Sequence, residues 1–296
     1  MTSGRKPRDP VLRRIPYDSP RSAFIEALEN NGCVIVQNFT TQEALAEAKK
    51  DVQPYLDVEE PASSVGALQG STKTCTRLIG RSATVREKFL ADELYQDMVE
   101  HFLAIESTCY YGANATTTTC HPLLSVSITV DMRPGTLAQQ LHRDDKNHHA
   151  RHTAVPYYQR NRDVLLGLFV PDCATRRENG ATRVVPGSHL WGDAKPDFGD
   201  GSKGVVDVEM EAGDAFLMLG SLYHGGGQFM LEEGSRMMHI MFCCAGNMRQ
   251  EEISFLSYPV EEVKEYSKVV QDRLGWTQSE PNLGWVDLKS PEFMLQ

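Results

Sequence analysis

Residues 123–132 read LLSVSITVDM. Leu124, Val126, Ile128, Val130 and Met132 alternate with Ser125, Ser127, Thr129 and Asp131, and a period of two puts the two sets on opposite faces of a strand. The stretch therefore predicts a half-buried strand. Downstream come the apolar runs VLLGLFV (164–170), ATRVV (181–185), VVDVEM (205–210), DAFLML (214–219) and MMHIMFCC (237–244). The turn-forming clusters ENG, PGSH, GDGSKG, EAGD and HGGG separate them. Roughly seven or eight short strands punctuated in this way predict a sandwich or jelly roll.

Upstream of residue 123 the pattern is helical. SAFIEALENN (22–31) sets Phe24, Ile25 and Leu28 at helical spacing and stops at Asn31-Gly32, after which CVIVQNF reads as a strand. The segment TTQEALAEAKKDVQPYL opens with Thr40 and Glu43 in capping-box spacing and should stop at Pro54. Helices are also predicted over 83–91, 93–105 and VEEVKEYSKVVQDRL (260–274). The polar stretch 55–81 is long enough for a functional loop, and TTTT at 116–119 is a low-complexity tract. Residues 1–20, basic and proline-containing, read as a disordered tail. Residues 21–296 form one domain whose β core spans about 121–247.

A net charge of −10 disfavours nucleic acid or an anionic membrane as the main partner, since both are bound through excess Lys and Arg. The seven cysteines are odd in number and contain no CxxC pair, which points to reduced thiols and a cytoplasmic location. No apolar stretch approaches the length of about 18 residues that a membrane span needs.

The chemistry concentrates at residues 139–149, QQLHRDDKNHH. His142-Arg143-Asp144 is the one H-x-D/E triplet in the chain, and it needs a third ligand to mean anything. His224, ending an apolar run and entering Gly225-Gly226-Gly227, is the candidate. Two histidines and one carboxylate can form the facial triad of non-haem Fe(II) oxygenases, which leaves half the coordination sphere open. Arg236 begins the next strand, so a hairpin would return its guanidinium to the metal end, where a planar fork suits a dicarboxylate. His148, His149 and His152 could be imagined as a zinc site but lack a partner in register and read as a solvated loop. His101 and His121 read as surface groups, His189 as a turn or packing residue, and His239 as a core or cavity-lining histidine. Neither HExxH nor GxSxG occurs.

The ordered set QQLHRDD, ENGATRVVPGSHLW, AGDAFLM, YHGGG, Arg236 and RLGW…SEPNLG resembles the phytanoyl-CoA hydroxylase-like (PhyH) family of Fe(II)/2-oxoglutarate dioxygenases, over roughly residues 20–285. The fungal members that tailor secondary metabolites are the most similar branch. The resemblance implies a mainly β fold, a double-stranded β-helix (jelly-roll, cupin-like) core with supporting N-terminal helices. It implies His142, Asp144 and His224 as iron ligands and Arg236 as the partner of the distal carboxylate of 2-oxoglutarate. Gln140 and Thr182 match positions that touch the cosubstrate. Fe(II), 2-oxoglutarate and O2 are the implied cofactors, and the retained Asp144 disfavours halogenation. The expected activity oxidises an unactivated C–H bond of a small natural product, by hydroxylation, desaturation, epoxidation, rearrangement or endoperoxidation. Substrate contacts are expected from the loop 62–80 and from the segment after Asp145. The resemblance also implies a homodimer in which the tail 276–288 reaches the neighbouring site. The alternatives are an acyl-CoA thioester hydroxylase, which would want a basic groove, and a metal-binding jelly roll without oxidative turnover.

Overall fold

The protein is described by a computed structural model over residues 10–58, 71–199 and 202–296. In chain order its first half contains β1 (Arg13–Pro16), α1 (Arg21–Asn31), β2 (Cys33–Gln37), α2 (Gln42–Leu56), β3 (Lys73–Cys75), α3 (Leu78–Arg81), α4 (Glu93–Leu103), β4 (Ile105–Tyr111) and β5 (Asn114–Cys120). The β core adds β6 (Leu123–Met132), β7 (Leu165–Pro171), β8 (Arg183–Val184), β9 (Val206–Asp207), β10 (Ala215–Leu219), β11 (His224–Gly225) and β12 (Arg236–Cys244). Seven strands form one sheet in the order β1-β2-β10-β7-β12-β6-β3, antiparallel except for β1 beside β2. A smaller sheet, β11-β8-β9, lies over its other face. Among the described residues no helix is long and apolar enough to cross a membrane.

The central strands β2, β7, β10 and β12 are largely apolar on both sides because both sides are covered. Val34, Val36, Leu217, Leu219, Met237 and Met241 pack with helical residues such as Phe24, Leu28, Tyr95 and Phe102. Their neighbours Cys33, Ile35, Phe216, Met218, Met238 and Phe242 join Val184 and Val208 from the small-sheet side in a second core. Thus the same period of two that writes alternation into β6 writes continuous apolar runs into β2, β7, β10 and β12.

The polar face of β6 is the fully buried one. Ser125, Ser127, Thr129 and Asp131 are each 0% exposed, whereas Val126, Ile128 and Val130 are only partly covered. Ser127 Oγ accepts the Ile79 N–H and shares a hydrogen bond with the Tyr258 hydroxyl, Thr129 Oγ1 bonds His239 Nδ1, and Asp131 accepts from Arg133. Hydrogen bonding seals the outer face under helices and turns, so the apolar face is left free to line the interior.

Several expected boundaries move. Residues 13–16 leave the expected tail and pair in parallel with β2, and Ile15 is buried; residues 1–9 lie outside the described residues. The cap of α2 is Thr41, which accepts from the Ala44 N–H, and the helix runs past Pro54 to Leu56. The helix expected over 260–274 splits into α6 (Val260–Val263) and α7 (Lys268–Arg273), after a short α5 (Ser254–Ser257). At the break the Gln271 side chain donates to the carbonyls of Val263 and Tyr266, replacing backbone bonds that a continuous helix would have made. ATRVV and VVDVEM each yield a two-residue strand, and the TTTT tract belongs to an unforeseen hairpin, β4–β5.

Tyr95 ties the helical layer to the large sheet, its hydroxyl lying 3.2 Å from the Leu166 carbonyl on β7 and 3.1 Å from that of Met241 on β12. Tyr95→Phe is expected to cost about 1 kcal/mol, read as a lower urea midpoint at unchanged m-value. An unchanged midpoint would show that this hydroxyl carries no net stabilisation.

Candidate active site

His142 and His224 face one another in an isolated antiparallel bridge at the edge of the small sheet. Each donates its backbone N–H to the other's carbonyl, at 2.8 and 2.9 Å. Opposed residues in such a pair project to the same side, and the imidazole centroids lie 4.6 Å apart. Nδ1 of His142 sits 2.8 Å from the Gln140 carbonyl, and Nδ1 of His224 sits 3.1 Å from that of Leu222. A carbonyl can only accept, so both Nδ1 atoms carry protons and both Nε2 atoms are left to face the third residue of the cluster.

Both Nε2 atoms converge on Asp144, 3.3 and 3.2 Å from its two carboxylate oxygens. Lone pairs aimed at a carboxylate repel unless a cation, a proton or a metal ion, lies between them. Burial alone would push the Asp144 carboxyl up, but the charge of His224 and the bonds from both histidines hold it well below the usual carboxylate range. The same hydrogen bond raises His142 against the opposing effect of burial. These three residues are the one group of His, Cys, Asp or Glu among the described residues whose donor atoms all lie within 4.8 Å of one another. Two nitrogens and one oxygen in this arrangement fit a divalent first-row metal, with His142 on the open side at 41% side-chain exposure.

Arg236 opens β12 opposite Met132 of β6, and from there residues 236, 238, 240 and 242 point to the interior. Its guanidinium is buried; Nε donates to the Asn179 carbonyl at 3.0 Å and Nη2 to that of Gly180 at 2.7 Å. Gly180 can present this carbonyl because its φ is +79°, a conformation that side-chain-bearing residues avoid. Burial lowers the Arg236 pKa to about 10 against the opposing charges of Asp172 and Asp131, and neither carboxylate pairs with it directly. The three-donor cluster and this buried cation share a cavity of about 170 Å³, floored by Val130, Met238, Ile240 and Phe242.

The chain matches the family described as phytanoyl-CoA dioxygenase (PhyH) over residues 28–237, a span holding all four residues. It belongs to the phytanoyl-CoA dioxygenase family. A dioxygenase, himG, of Aspergillus japonicus is 38% identical across 90% of this chain and 85% of its own length. The dioxygenase peniF of Penicillium patulum is 29% identical across 100% and 96%. Among solved structures, HygX of Streptomyces hygroscopicus with nickel and 2-oxoglutarate bound superposes with a TM-score of 0.56 at 14% identity, covering 78% of this chain and 90% of that one. The 2-oxoglutarate-dependent epimerase SnoN from nogalamycin biosynthesis gives 0.55 at 16%, over 80% and 86%. These two likenesses bear out the jelly-roll fold, and family and relatives together make the chain a dioxygenase.

Against this dioxygenase frame the remaining expected positions divide. Thr182 is buried and lines the cavity, but Gln140 does not: its side chain is exposed, and its carbonyl orients His142. Gln139 lines the cavity instead and accepts the Gly226 N–H through Oε1 at 2.7 Å. The glycines after His224 make room for neighbouring backbone; a Cβ on Gly227 would sit 2.5 Å from the Ala181 carbonyl. In the loop 62–80, residues 62–70 lie outside the described residues, and Thr72 lines the cavity. The alternation 236, 238, 240, 242 was the sequence signal for the floor, once Arg236 was anchored.

The solvated-loop reading of His152 is corrected, since the residue is 7% exposed and bonded to Asp145. His189 and His239 are buried inside the fold, where desolvation lowers both pKa values to about 4, while burial raises Asp163 to about 6. Below pH 6.5 the unfolded chain takes up protons that the two native imidazoles refuse, so stability falls with pH. Asp163 works in the opposite direction between about pH 6 and 4, with one proton against two. His142, raised, acts only above pH 6.5 and there loses stability as pH rises. Urea unfolding of the metal-free protein is therefore expected to show a loss of about 2 kcal/mol between pH 7 and pH 5. Equal stability at the two values would mean that these imidazoles are not held neutral.

Proposed function

We propose that His142, Asp144 and His224 hold a ferrous ion, that 2-oxoglutarate is the cosubstrate, and that the enzyme oxidises an unactivated C–H bond of a small natural product in secondary metabolism. The observation that carries this reading is a buried guanidinium with no carboxylate partner among the described residues, in the same cavity as an open His-Asp-His cluster. A buried cation left without an anion is costly, and a dicarboxylate brings the missing charge. When bound, the iron supplies dioxygen activation coupled to oxidative decarboxylation of 2-oxoglutarate to succinate.

The protein's part is orientation and exclusion. The carbonyls of Gln140 and Leu222 fix the imidazole tautomers, and Asp144 stays ionised. Arg236 fixes one end of the cosubstrate, with Thr182 and Gln139 beside it. The apolar floor keeps water from the reacting centre. Apart from Asp144, the ligand histidines and Arg236, the described lining holds no ionisable side chain, which favours an uncharged reacting portion of the substrate. The chain's net charge of −10 disfavours the phosphates of an acyl-CoA. SnoN, whose fold this chain shares, comes from nogalamycin biosynthesis, and that setting supports the natural-product assignment. Seven free thiols suit a cytoplasmic setting.

Adding 2-oxoglutarate anaerobically to the Fe(II)-loaded protein is expected to give a weak visible absorption band, and succinate should form under air. Asp144→Ala is expected to abolish both. Arg236→Ala is expected to raise the 2-oxoglutarate requirement about tenfold or more through the lost charge-assisted bonds, with metal binding nearly unchanged. Near-full turnover in Asp144→Ala, or an unmoved requirement in Arg236→Ala, would remove the corresponding assignment.

We also infer a homodimer built on the C-terminal region. Phe255, Leu256, Trp285 and Leu288, all in the C-terminal region, are 48–82% exposed, and apolar side chains left in water there favour a covering partner. Sedimentation at micromolar concentration is expected to give twice the 33.1 kDa chain mass; a single 33.1 kDa species would refute the dimer.

A further inference from the structure

The adjacent aspartates of His142-Arg143-Asp144-Asp145 turn to opposite sides. Asp144 faces His142 and His224, while Asp145 is 0% exposed and lies 2.5 Å from Nε2 of His152, itself 7% exposed. We propose that Asp145 and His152 are positioning residues, a buried hydrogen-bonded pair that fixes the turn carrying Asp144 against the turn leading to His224. The proposal rests on the reading of the His-Asp-His cluster as a metal site.

Two observations support this role. First, the backbone around Asp145 is tied to the His224 side: its N–H donates to the Gly220 carbonyl at 3.2 Å, and the Gly220 N–H donates in turn to Leu165 at 2.7 Å. Ser221, next along the chain, bonds through its hydroxyl to buried Asp163. Movement of Asp145 would therefore be transmitted to both segments that bear donor atoms.

Second, the loop that returns from Asp145 to His152 is braced at its far end. Ala150 N–H donates to the Asp145 carbonyl at 3.3 Å, and His152 exchanges bonds with Asp193, donating its N–H to Oδ2 and accepting the Asp193 N–H. Lys146 Nζ donates to Asp193 Oδ1 and to the Ala150 carbonyl, both at 2.6 Å. His152 is thereby delivered to Asp145 from a closed ring of contacts. Burying an aspartate and a histidine carries a desolvation cost that a passive connector would avoid by leaving both in water. Arg143, buried as well, donates to the carbonyls of Ser188, Trp191 and Gly192 and lies over the ring of Tyr223, the residue before His224. The two non-ligand residues of the tetrapeptide thus anchor it to separate segments, Arg143 to 188–192 and Asp145 to His152.

The test compares His152→Leu, which removes the donor, with His152→Gln, whose amide can restore it. Mn(II) binding to the metal-free protein is measured by equilibrium dialysis, alongside the urea midpoint of each variant. A positioning role predicts that His152→Leu weakens Mn(II) binding about 10- to 100-fold, the range seen when groups supporting metal ligands are lost, while His152→Gln stays within about threefold of the parent. Binding by His152→Leu at the parent's strength, or equal weakening in both variants, overturns the proposal. If His152→Leu does not fold, Asp145→Ala against Asp145→Asn repeats the contrast from the other partner, with the same two outcomes. Asp144→Ala serves as the control. Should it bind Mn(II) as tightly as the parent, the metal-site reading itself fails and takes the pair's role with it, a result distinct from an unaffected His152→Leu.

Discussion

The reciprocal pair of backbone hydrogen bonds between His142 and His224 is the constraint on which the site depends. It joins two segments separated by a long stretch of chain and sets their register to the residue. A slip by one position would turn one imidazole to the other face of the small sheet and dissolve the cluster. With the register fixed, the rest follows from local geometry. Each Nδ1 meets the carbonyl two residues upstream, each Nε2 turns towards Asp144, and the turn after His142 places that carboxylate between the rings.

A second register, between β12 and β6, brings Arg236 to the same place. Arg236 pairs with Met132 at the end of the ladder, so its side chain enters the interior beside the small sheet rather than the helical layer. The cost of holding a guanidinium there is lowered, though its charge is left unpaired, by the carbonyls of Asn179 and Gly180. Both carbonyls come from the ENGAT block, and Gly180 turns its own towards the arginine through a left-handed backbone. That block therefore matters for what its backbone offers Arg236 as well as for Thr182.

Much of this was legible in the sequence because strands and metal sites both obey short periods. The alternation of residues 123–132, the apolar runs of the β core, and the order His142, Asp144, His224, Arg236 all survive in the structure. What sequence could not show is which face of a strand is covered by what. LLSVSITVDM announces a strand, but its serines, threonine and aspartate are the sealed side because partners from α3, β12 and the C-terminal region arrive to bond them. His152 was misread for the same reason, since its partner is Asp145 and nothing in KNHHARH says that the loop folds back. Gln139 and Gln140 are neighbours with opposite directions, and only the bridge at His142 decides which one enters the cavity. The helix over 260–274 failed because one glutamine side chain could satisfy carbonyls that the periodicity had assigned to a continuous helix.

The charges of the site also explain why its parts belong together. Asp144 and Arg236 carry opposite single charges in one small cavity and sum to zero without forming an ion pair with each other. On the proposed occupancy a dication sits against Asp144 and a dicarboxylate reaches Arg236, so the two guests cancel each other as the two side chains do. Either guest alone leaves two uncompensated charges in a partly desolvated space, where Coulomb energies are several-fold larger than in water. The full set leaves none. Binding of metal and cosubstrate is thereby coupled through electrostatics, each favouring the other by the same free energy, and no conformational change is required to produce that coupling.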